Sequence, residues 1–378
     1  MTCHTSQRGQ QHQTVTRRGF CTASAGLASL ALAACAPAAS TTEASSAQAS
    51  SAQESAAQES AAQASSSQVS TTQLSSLTKV SFVLDYSPNV NHTGIYVADR
   101  QGYFGEEGIE LEIVPVPADG ADALIGSGGA DMGVSYQDYI ANNLAAQNPM
   151  PYTAIAAIVQ HNTSGIMSRA EDGITSARGM QDHVYATWNL PVEQATIKQI
   201  VEADGGDFSR VEMVPYEVDD EVAGLKAHLF DTVWVYEWWA VQNAKLQNYP
   251  VNYFAFADMD PVFDYYTPVI AVNDAFAQNN PELVRGFLRA AKRGYEFAVE
   301  NPAEAARLLC EAVPELDPEL ISTAQEFISP EYVADASTWG IIDPTRWSRF
   351  YTWLNEEQLV ENPIDVDAGY TLDYLPTA

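Results

Sequence analysis

Apolar and polar segments alternate along the chain from residue 78 onward, and the alternation predicts short strands followed by helices. The first pair is a strand over 79–85 and a helix over 92–100, which carries Ile95, Val97 and Ala98 on one side. Further strands are predicted at 109–116, 131–134, 152–159, 165–168, 183–187, 211–214, 231–236 and 269–272. Helices are predicted at 121–125, 138–147 and 192–203, and over most of the chain beyond residue 272. This order favours an α/β fold built on mostly parallel, doubly wound sheets.

The first 34 residues have the layout of an export signal rather than of a folded domain. Two adjacent arginines, Arg17 and Arg18, precede an uncharged run over 21–34 that is shorter than the ~20 apolar residues needed to span a bilayer. The run ends in LAAC at 32–35, which is similar to a bacterial lipobox. We expect residues 1–34 to be a twin-arginine signal peptide and Cys35 to carry a lipid; the alternative is a chance cysteine in an alanine-rich stretch.

Residues 36–77 consist almost entirely of serine, alanine, glutamine and threonine. Such a segment has too few bulky apolar side chains to offset the conformational entropy that is lost on ordering. We expect residues 35–77 to be the lipidated cysteine and a disordered linker with a mean reach of roughly 35 Å; an alanine-rich helix is the alternative. The linker would hold the folded part outside the membrane without fixing its orientation.

The net charge of the chain is strongly negative, −31 at pH 7. Loss of the signal would remove three arginines and no acidic residue, which brings the charge to about −34. A charge of this sign opposes binding to nucleic acid and to anionic lipid surfaces. We therefore expect no nucleic-acid partner and attribute membrane association to the lipid anchor.

Cysteine is scarce outside the predicted signal. Of the four cysteines, Cys3 and Cys21 lie within the signal and Cys35 at its end, which leaves Cys310 in the folded part. A single thiol forms no internal disulfide, and we expect Cys310 to be a small buried apolar residue rather than a nucleophile. No Cys and His residues have the spacing of metal ligands, and we expect no metal and no other cofactor.

Four stretches of the folded part carry a recognisable pattern. They are LDYSPN at 84–89 with HTGIYVA at 92–98 and GYF at 102–104, IGSGGADMG at 125–133, WVYEWW at 234–239 and DYYTPV at 264–269. Together they resemble the thiamine-pyrimidine-precursor binding proteins of ABC importers, a family within the wider group of sulfonate, nitrate and taurine binding proteins. The stretches are distributed over nearly the whole folded part.

The resemblance implies a type 2 periplasmic-binding-protein fold, in which two doubly wound lobes are joined by two crossover segments. The first lobe would comprise 78–169 and 267–378, and the second 170–266. Closure of the lobes about the hinge would trap a small molecule between them. The implied partners are the permease and ATPase subunits of an ABC importer, with the protein a monomer, extracytoplasmic and anchored in the cell membrane through its lipid.

The resemblance and the predicted topology indicate the same position for the ligand. Ligands of open α/β sheets bind beyond the carboxyl ends of the strands, where loops lead into helices. We expect a pocket of aromatic and polar side chains from these loops in both lobes, namely Asp85, Tyr86, Asn89, His92, Tyr136, Trp188, Glu193, Tyr236, Glu237, Trp238, Asp264 and Tyr265.

Some of these residues also have an ordinary structural interpretation. Asp85 and Asn89 favour turns as readily as they hydrogen-bond an aminopyrimidine. His92 either contacts the ligand or braces its helix. Glu193, in the first turn of a helix, is favoured by the helix dipole whatever its function.

The aromatic cluster at 234–239 divides between the core and the pocket. Trp234 is expected in the core of the second lobe, while Tyr236 and Trp238 are expected to stack on a flat ligand. Glu237 is either a solvated charge or a hydrogen-bonding partner of the ligand. Asp264 and Tyr265 lie beside the second crossover, where they either contact the ligand or set the hinge.

Two classes of ligand fit the resemblance. An anion such as an alkyl sulfonate would require Arg, Lys or free helix N-termini facing the cleft. The expected cleft loops supply carboxylates and aromatic rings and no Arg or Lys, which favours a flat, neutral or cationic heteroaromatic such as a thiamine pyrimidine precursor. A role as a signalling sensor or an adhesin stays open.

One branch of the resembled family is enzymatic and makes the thiamine pyrimidine, with a Cys-rich segment for iron and a nearby Lys and His. The Cys-rich segment would fall at 262–266, which contains no Cys, and the stretch 131–146 contains neither Lys nor His. Because these groups supply the metal chemistry, we expect a binding protein and not an enzyme.

Overall fold

The computed structural model describes residues 77–216 and 220–376. The predicted signal peptide over 1–34, the lipidation of Cys35 and nearly all of the predicted linker lie outside the described residues. The described residues form two five-stranded sheets with helices packed against them, which confirms the predicted α/β class. None of the helices in this part of the chain is both long and apolar enough to cross a bilayer.

Each sheet contains five of the strands found in the described residues. The strands are β1 (Thr78–Val83), β2 (Ile109–Val114), β3 (Met132–Ser135), β4 (Tyr152–Ala157), β5 (Ser164–Arg169), β6 (Val184–Thr187), β7 (Glu212–Pro215), β8 (Thr232–Tyr236), β9 (Val251–Ala255) and β10 (Val269–Asn273). The first sheet has the order β2-β1-β3-β10-β4 and the second the order β7-β6-β8-β5-β9.

Both sheets are mostly parallel, with a single antiparallel strand in the fourth position. Strand β1 runs parallel to β2 and β3, and β6 runs parallel to β7 and β8. Strand β10 is antiparallel to both of its neighbours, and so is β5. In each sheet this antiparallel strand is the first one after the chain passes over from the other sheet. The two lobes therefore share one topology, and the crossing segments are residues 158–163 and 256–268.

The first crossing comes earlier in the chain than the sequence predicts. Strand β5 pairs with β8 and β9 and so lies in the second sheet, whereas the predicted boundary after Arg169 assigns it to the first lobe. All six of its residues are buried, and a fully buried strand has the same apolar pattern in either sheet. The expected second boundary, at 266–267, falls within the observed second crossing.

Helices cover the faces of both sheets. They are α1 (Thr93–Arg100), α2 (Tyr103–Glu106), α3 (Ala121–Gly126), α4 (Gln137–Ala145), α5 (Pro191–Ala203), α6 (Glu221–Lys226), α7 (Gln242–Leu246), α8 (Phe256–Met259), α9 (Asp274–Asn279), α10 (Pro281–Glu300), α11 (Pro302–Ala312), α12 (Pro318–Ile328) and α13 (Pro344–Glu356). Proline is the first residue of α5 and of α10 to α13. The first N–H groups of a helix have no acceptor within it, so the missing N–H of proline costs no hydrogen bond at this position. The sequence does not predict β9, whose five residues are all half-buried and show no alternation of apolar and polar positions.

Close packing of α1 against α10 positions the loop that follows β1. A Cβ atom on Gly294 would lie 1.9 Å from the carbonyl oxygen of Gly94, so the two helix backbones are in direct contact at these glycines. The next residue, Tyr295, donates a hydrogen bond from its hydroxyl to the carbonyl oxygen of Asn91, at 2.7 Å. Tyr332 does the same for the carbonyl oxygen of Val90, at 2.6 Å. The loop between β1 and α1 is thereby attached to the helical layer of the first lobe.

Candidate functional site

A cavity of about 330 Å³ lies where the carboxyl ends of β1 and β3 face those of β6 and β8. Its walls come from both lobes and are mostly aromatic or polar: Asp85, Tyr86, Ser87, Pro88, Asn89, Asn91, Tyr136, Trp188, Glu221, Trp234, Val235, Tyr236, Trp238, Trp239 and Leu316. Carboxyl ends of parallel strands are the usual position of ligand sites in α/β folds. The cavity is therefore the candidate ligand site.

Seven of the twelve predicted ligand residues line this cavity, namely Asp85, Tyr86, Asn89, Tyr136, Trp188, Tyr236 and Trp238. They come from loops or strand ends of both sheets, which brings together side chains far apart in sequence. The other five, His92, Glu193, Glu237, Asp264 and Tyr265, are not part of its wall.

Asp85 lies at the first-lobe side of the cavity and is hydrogen-bonded to two side chains. Its Oδ1 is 2.7 Å from Nε2 of His92, and its Oδ2 accepts a hydrogen bond from the hydroxyl of Tyr136. Burial by itself would raise the pKa of Asp85, but the hydrogen bonds from His92 and Tyr136 hold this pKa below its ordinary value. Asp85 is thus a buried carboxylate with lone pairs left for a further donor.

His92 acts through Asp85 and not on the cavity directly. The backbone N–H of Asn89 donates to Nδ1 of His92 at 3.1 Å, so Nδ1 carries no proton and Nε2 is the nitrogen that donates to Asp85. The imidazole is fully buried. Of the two interpretations of His92, bracing is the one that the hydrogen bonds favour. Asn89 also has a structural part, since its side-chain oxygen accepts from the backbone N–H of Asn91 at 2.9 Å.

Aromatic rings form the second-lobe side of the cavity. The ring centroids of Tyr236 and Trp238 are 5.9 Å apart, and those of Trp188 and Trp234 are 5.5 Å apart. Trp188 is 46% exposed and Tyr86, from the opposite lobe, is 65% exposed, so both lie at the rim. Large rings of this kind offer flat apolar surfaces to a planar ligand.

Glu193 stabilises the loop that carries Trp188 and does not reach the cavity. Its carboxylate accepts hydrogen bonds from the hydroxyl of Tyr185 at 2.7 Å and from that of Thr187 at 2.8 Å. It also accepts from the backbone N–H of Trp188 at 3.0 Å. With only 3% of its surface exposed, Glu193 has the capping function that its position in the first turn of α5 favours.

Asp264 belongs to an ionic cluster between the two crossing segments. Its Oδ2 is 2.8 Å from Nδ1 of His161, and its Oδ1 accepts from the backbone N–H of Asn162 at 3.0 Å. The guanidinium Nε of Arg346, on α13, is 3.5 Å from the same carboxylate. Burial opposes ionisation, but the contacts with His161 and Arg346 hold the pKa of Asp264 below its ordinary value. The cluster favours the hinge interpretation of Asp264.

Tyr265 and Glu237 also lie outside the cavity wall. The ring of Tyr265 stacks on Phe350 at a centroid distance of 4.1 Å and is 5% exposed. Glu237 begins a π-helical turn over 237–241, and its backbone N–H donates to the carbonyl oxygen of Thr163 at 2.9 Å. Burial raises the pKa of the Glu237 carboxyl above its ordinary value.

The sequence does not predict Asn91, Glu221, Trp239 or Leu316 as cavity residues, and it predicts Trp234 as core. Trp234 is both, since it is 6% exposed, packs on Phe256 and lines the cavity. Asn91 is two residues beyond the predicted Asn89 and lies between the motif segments at 84–89 and 92–98, and this position is the signal that the sequence offers for it. Glu221 comes shortly after residues 217–219, which the structure does not describe, and no sequence signal indicates that it is a cavity residue. Burial raises the pKa of Glu221 above its ordinary value.

Among the residues that the structure describes, the cavity wall contains the carboxylates of Asp85 and Glu221 and no Lys or Arg side chain. Across the described parts of the chain, no three His, Cys, Asp or Glu side chains are grouped so that they could hold a metal ion. The cavity can therefore offer carboxylate, amide and indole hydrogen-bonding groups and aromatic surfaces.

Two sheets of the same topology, connected by two crossings and enclosing a cavity at their strand ends, define the type 2 periplasmic-binding-protein fold. The periplasmic aliphatic sulphonate binding protein SsuA from Escherichia coli has this fold, with a TM-score of 0.60, 12% sequence identity and coverage of 76% of this chain and 95% of that chain. At this level of identity the likeness concerns the fold alone.

The chain belongs to the NMT1/THI5-like family, which its residues 89–305 match, more than half of its length. A formylaminopyrimidine-binding protein of Halalkalibacterium halodurans is 28% identical over 304 residues, covering 78% of this chain and 90% of the relative. A 4-amino-5-hydroxymethyl-2-methylpyrimidine phosphate synthase of Saccharomyces cerevisiae is 25% identical over 257 residues, covering 65% and 74%. The predicted resemblance is confirmed at the level of the family, which contains both binding proteins and synthases.

Proposed function

We propose that this protein is the extracytoplasmic solute-binding subunit of an ABC importer and that it captures a flat, nitrogen-bearing heteroaromatic, such as a thiamine pyrimidine precursor, between its lobes. The observation that carries the proposal is the buried Asp85 carboxylate, held by His92 and Tyr136 in a cavity walled by aromatic rings. The name of the Halalkalibacterium halodurans relative supports the same ligand class.

The chemistry of Asp85 matches the edge of an aminopyrimidine. An exocyclic amino group donates hydrogen bonds, and a carboxylate accepts them with a strength of about 1.5–3 kcal/mol. Because His92 and Tyr136 occupy one lone pair on each oxygen, the remaining ones can accept from the ligand. Trp238 and Tyr236 on the other lobe would cover the face of the ring, at about 0.5–1.5 kcal/mol each beyond the burial of area.

An anionic ligand is disfavoured by the charges of the same wall. A sulfonate or a nitrate needs cationic or N–H donor groups. The described residues of the cavity wall include the carboxylates of Asp85 and Glu221 and no Lys or Arg. An anionic ligand next to the buried Asp85 carboxylate would give two negative charges with no cation in the described wall to compensate them. The fold likeness to a sulphonate binding protein does not carry its ligand over to this chain.

Binding without catalysis is supported by the residues found where the enzymatic branch has its Cys-rich segment and its Lys and His. The stretch 262–266, which lies in the second crossing, contains no Cys. The stretch 131–146, which forms β3 and α4, contains neither Lys nor His. The chain therefore lacks the residues that the resemblance associates with pyrimidine synthesis.

Export and anchoring complete the proposal. Arg17, Arg18 and the lipobox-like end at Cys35 support twin-arginine export, lipid attachment and retention on the outer face of the cell membrane. We expect Cys35→Ser to release the protein into the soluble extracellular or periplasmic fraction, as measured by fractionation and immunoblotting. Continued membrane association of this variant would refute the anchor.

The ligand is tested by mass spectrometry of small molecules that co-purify with the full chain, followed by calorimetry. We expect aminopyrimidine precursors to bind and aliphatic sulfonates not to bind. Trp188→Ala should weaken pyrimidine binding about 10-fold or more, a loss of about 1.4 kcal/mol. Tight sulfonate binding without pyrimidine binding would refute the proposed ligand class.

A further inference from the structure

Two cavity residues carry buried polar atoms without a hydrogen-bond partner, one residue in each lobe. The amide oxygen of Asn91 in the first lobe and the indole Nε1 of Trp234 in the second have no partner among the described residues. Asn91 is 5% exposed and Trp234 is 6% exposed, and both line the cavity. Most buried polar side-chain atoms in proteins are paired, so each of these two needs a physical explanation.

The side chain of Asn91 is held in place by contacts of its backbone. Its N–H donates to the side-chain oxygen of Asn89 at 2.9 Å, and its carbonyl oxygen accepts from the hydroxyl of Tyr295 at 2.7 Å. These contacts do not involve the amide of the Asn91 side chain. The residue is therefore positioned beside the loop of Asp85, while its amide remains available to another molecule.

Trp234 is fixed in a similar way. Its backbone lies in β8, in register with Ile166 of β5. Its ring packs against Phe256 at a centroid distance of 4.2 Å and against Trp188 at 5.5 Å. The ring is thus held by strand pairing and by two aromatic neighbours, and no described residue accepts the indole N–H.

We propose that Asn91 and Trp234 are specificity-determining ligand contacts, in which Trp234 donates its indole N–H to an acceptor on the ligand and the Asn91 amide pairs with a polar group of the same molecule. This inference rests on the proposed function and narrows its ligand. Asp85 requires a donor on the ligand, and Trp234 requires an acceptor. An aminopyrimidine presents both in one plane, its amino group and its ring nitrogens.

The position of the two residues gives the contacts a second consequence. Because Asn91 lies in the first lobe and Trp234 in the second, a ligand that pairs with both interacts better with the approached lobes than with separated ones. A differential affinity of this kind is the requirement for a ligand to shift a conformational equilibrium. A ligand that meets only Asp85 would bind without this contribution to closure.

The test compares four single variants of the full chain, with 4-amino-5-hydroxymethyl-2-methylpyrimidine as the probe in calorimetry. Asn91→Leu removes the unpaired amide at similar volume, and Asn273→Leu is its control, because Asn273 donates to Ile125 and accepts from Phe276. Trp234→Phe removes the unpaired N–H, and Trp339→Phe is its control, because Nε1 of Trp339 donates to the carbonyl oxygen of Ile158 at 3.2 Å.

The site variants should mainly change the Kd, whereas their controls should mainly change the melting temperature. Asn91→Leu and Trp234→Phe should each weaken binding about 10-fold or more. In the ligand-free protein, neither Asn91→Leu nor Trp234→Phe removes an existing side-chain hydrogen bond. The melting temperature should therefore stay the same or rise for Asn91→Leu, and it should fall less for Trp234→Phe than for Trp339→Phe. Asn273→Leu and Trp339→Phe should lower the melting temperature and leave the Kd within about twofold, since neither residue lines the cavity.

The two hypotheses fail in different ways. If the unaltered protein binds the pyrimidine and both Asn91→Leu and Trp234→Phe bind it equally well, the inference is wrong and the proposed function stands. If the unaltered protein binds no aminopyrimidine, the proposed function is wrong and the inference falls with it.

Discussion

Replacement of Asp85 by Asn separates the charge of this residue from its size. The carboxylate accepts from His92 on one oxygen and from Tyr136 on the other. An asparagine amide has a single oxygen, so one of the two donors would face an NH2 group and lose its acceptor. Both the fold and the ligand site should therefore respond, and the two effects are measured separately.

The effect on the fold is that of one unsatisfied buried donor. His92 is fully buried, and loss of the partner of such a group costs about 1–3 kcal/mol of the free energy of unfolding. The pKa of Asp85 lies below its ordinary value of 3.8, so its contribution is present above that pH and is lost as the pH falls through the pKa of the folded state. The difference in stability between the two proteins should accordingly be constant near neutral pH and shrink in acid.

The effect on binding is the loss of a charged acceptor. A hydrogen bond to a carboxylate contributes about 1.5–3 kcal/mol, so the Kd for an aminopyrimidine should rise roughly 10- to 150-fold. Calorimetry at pH 7 measures the Kd, and chemical denaturation measures the free energy of unfolding. Asp122→Asn is a matched control, since Asp122 is a half-buried carboxylate that pairs with Ser135 and does not line the cavity. A folded Asp85→Asn protein with an unchanged Kd would refute the assignment of Asp85 as the acceptor of the ligand.

Three further predictions concern the residues that support the site. Glu193→Gln should lower the free energy of unfolding by about 2 kcal/mol, because one of the donors that pair with the Glu193 carboxylate loses its acceptor. The Kd should change less than about threefold. Urea denaturation measures the stability and calorimetry the Kd, and a large loss of affinity with unchanged stability would indicate direct contact with the ligand. The hydrogen bond with Asp264 raises the pKa of His161 above 6.5, so its stabilisation is complete below that pH and is lost as the pH rises through the raised value. His161→Gln should therefore reduce the fall in stability above pH 6.5, and a pH dependence identical to that of the unaltered protein would contradict the hinge cluster. Gly294→Ala should cost at least about 2 kcal/mol because its Cβ would overlap the carbonyl oxygen of Gly94; thermal unfolding measures it, and an unchanged melting temperature would show that the helices can move apart freely.

The sequence by itself determined the class of fold and the approximate position of the site. Regular alternation of strands and helices is a local property, and in an α/β fold it places the residues after each strand at one edge of the sheet. That is why Asp85, Tyr136 and Trp188, which follow three different strands, are predicted together and line one cavity. The family is likewise predicted from four motif stretches, because its motifs are contiguous.

Only the tertiary structure decided which of these side chains face the cavity and which support it. Glu193 and Asp264 lie where the pattern predicts ligand contacts, yet their oxygens pair with residues of a loop and of a hinge. The assignment of β5 to the second sheet depends on its pairing with β8, which its own apolar pattern does not reveal. The free amide of Asn91 depends on Tyr295, 204 residues away, which holds the backbone and leaves the side chain unpaired. Satisfaction of hydrogen bonds is a property of the assembled environment, and periodicity along the chain carries no information about it.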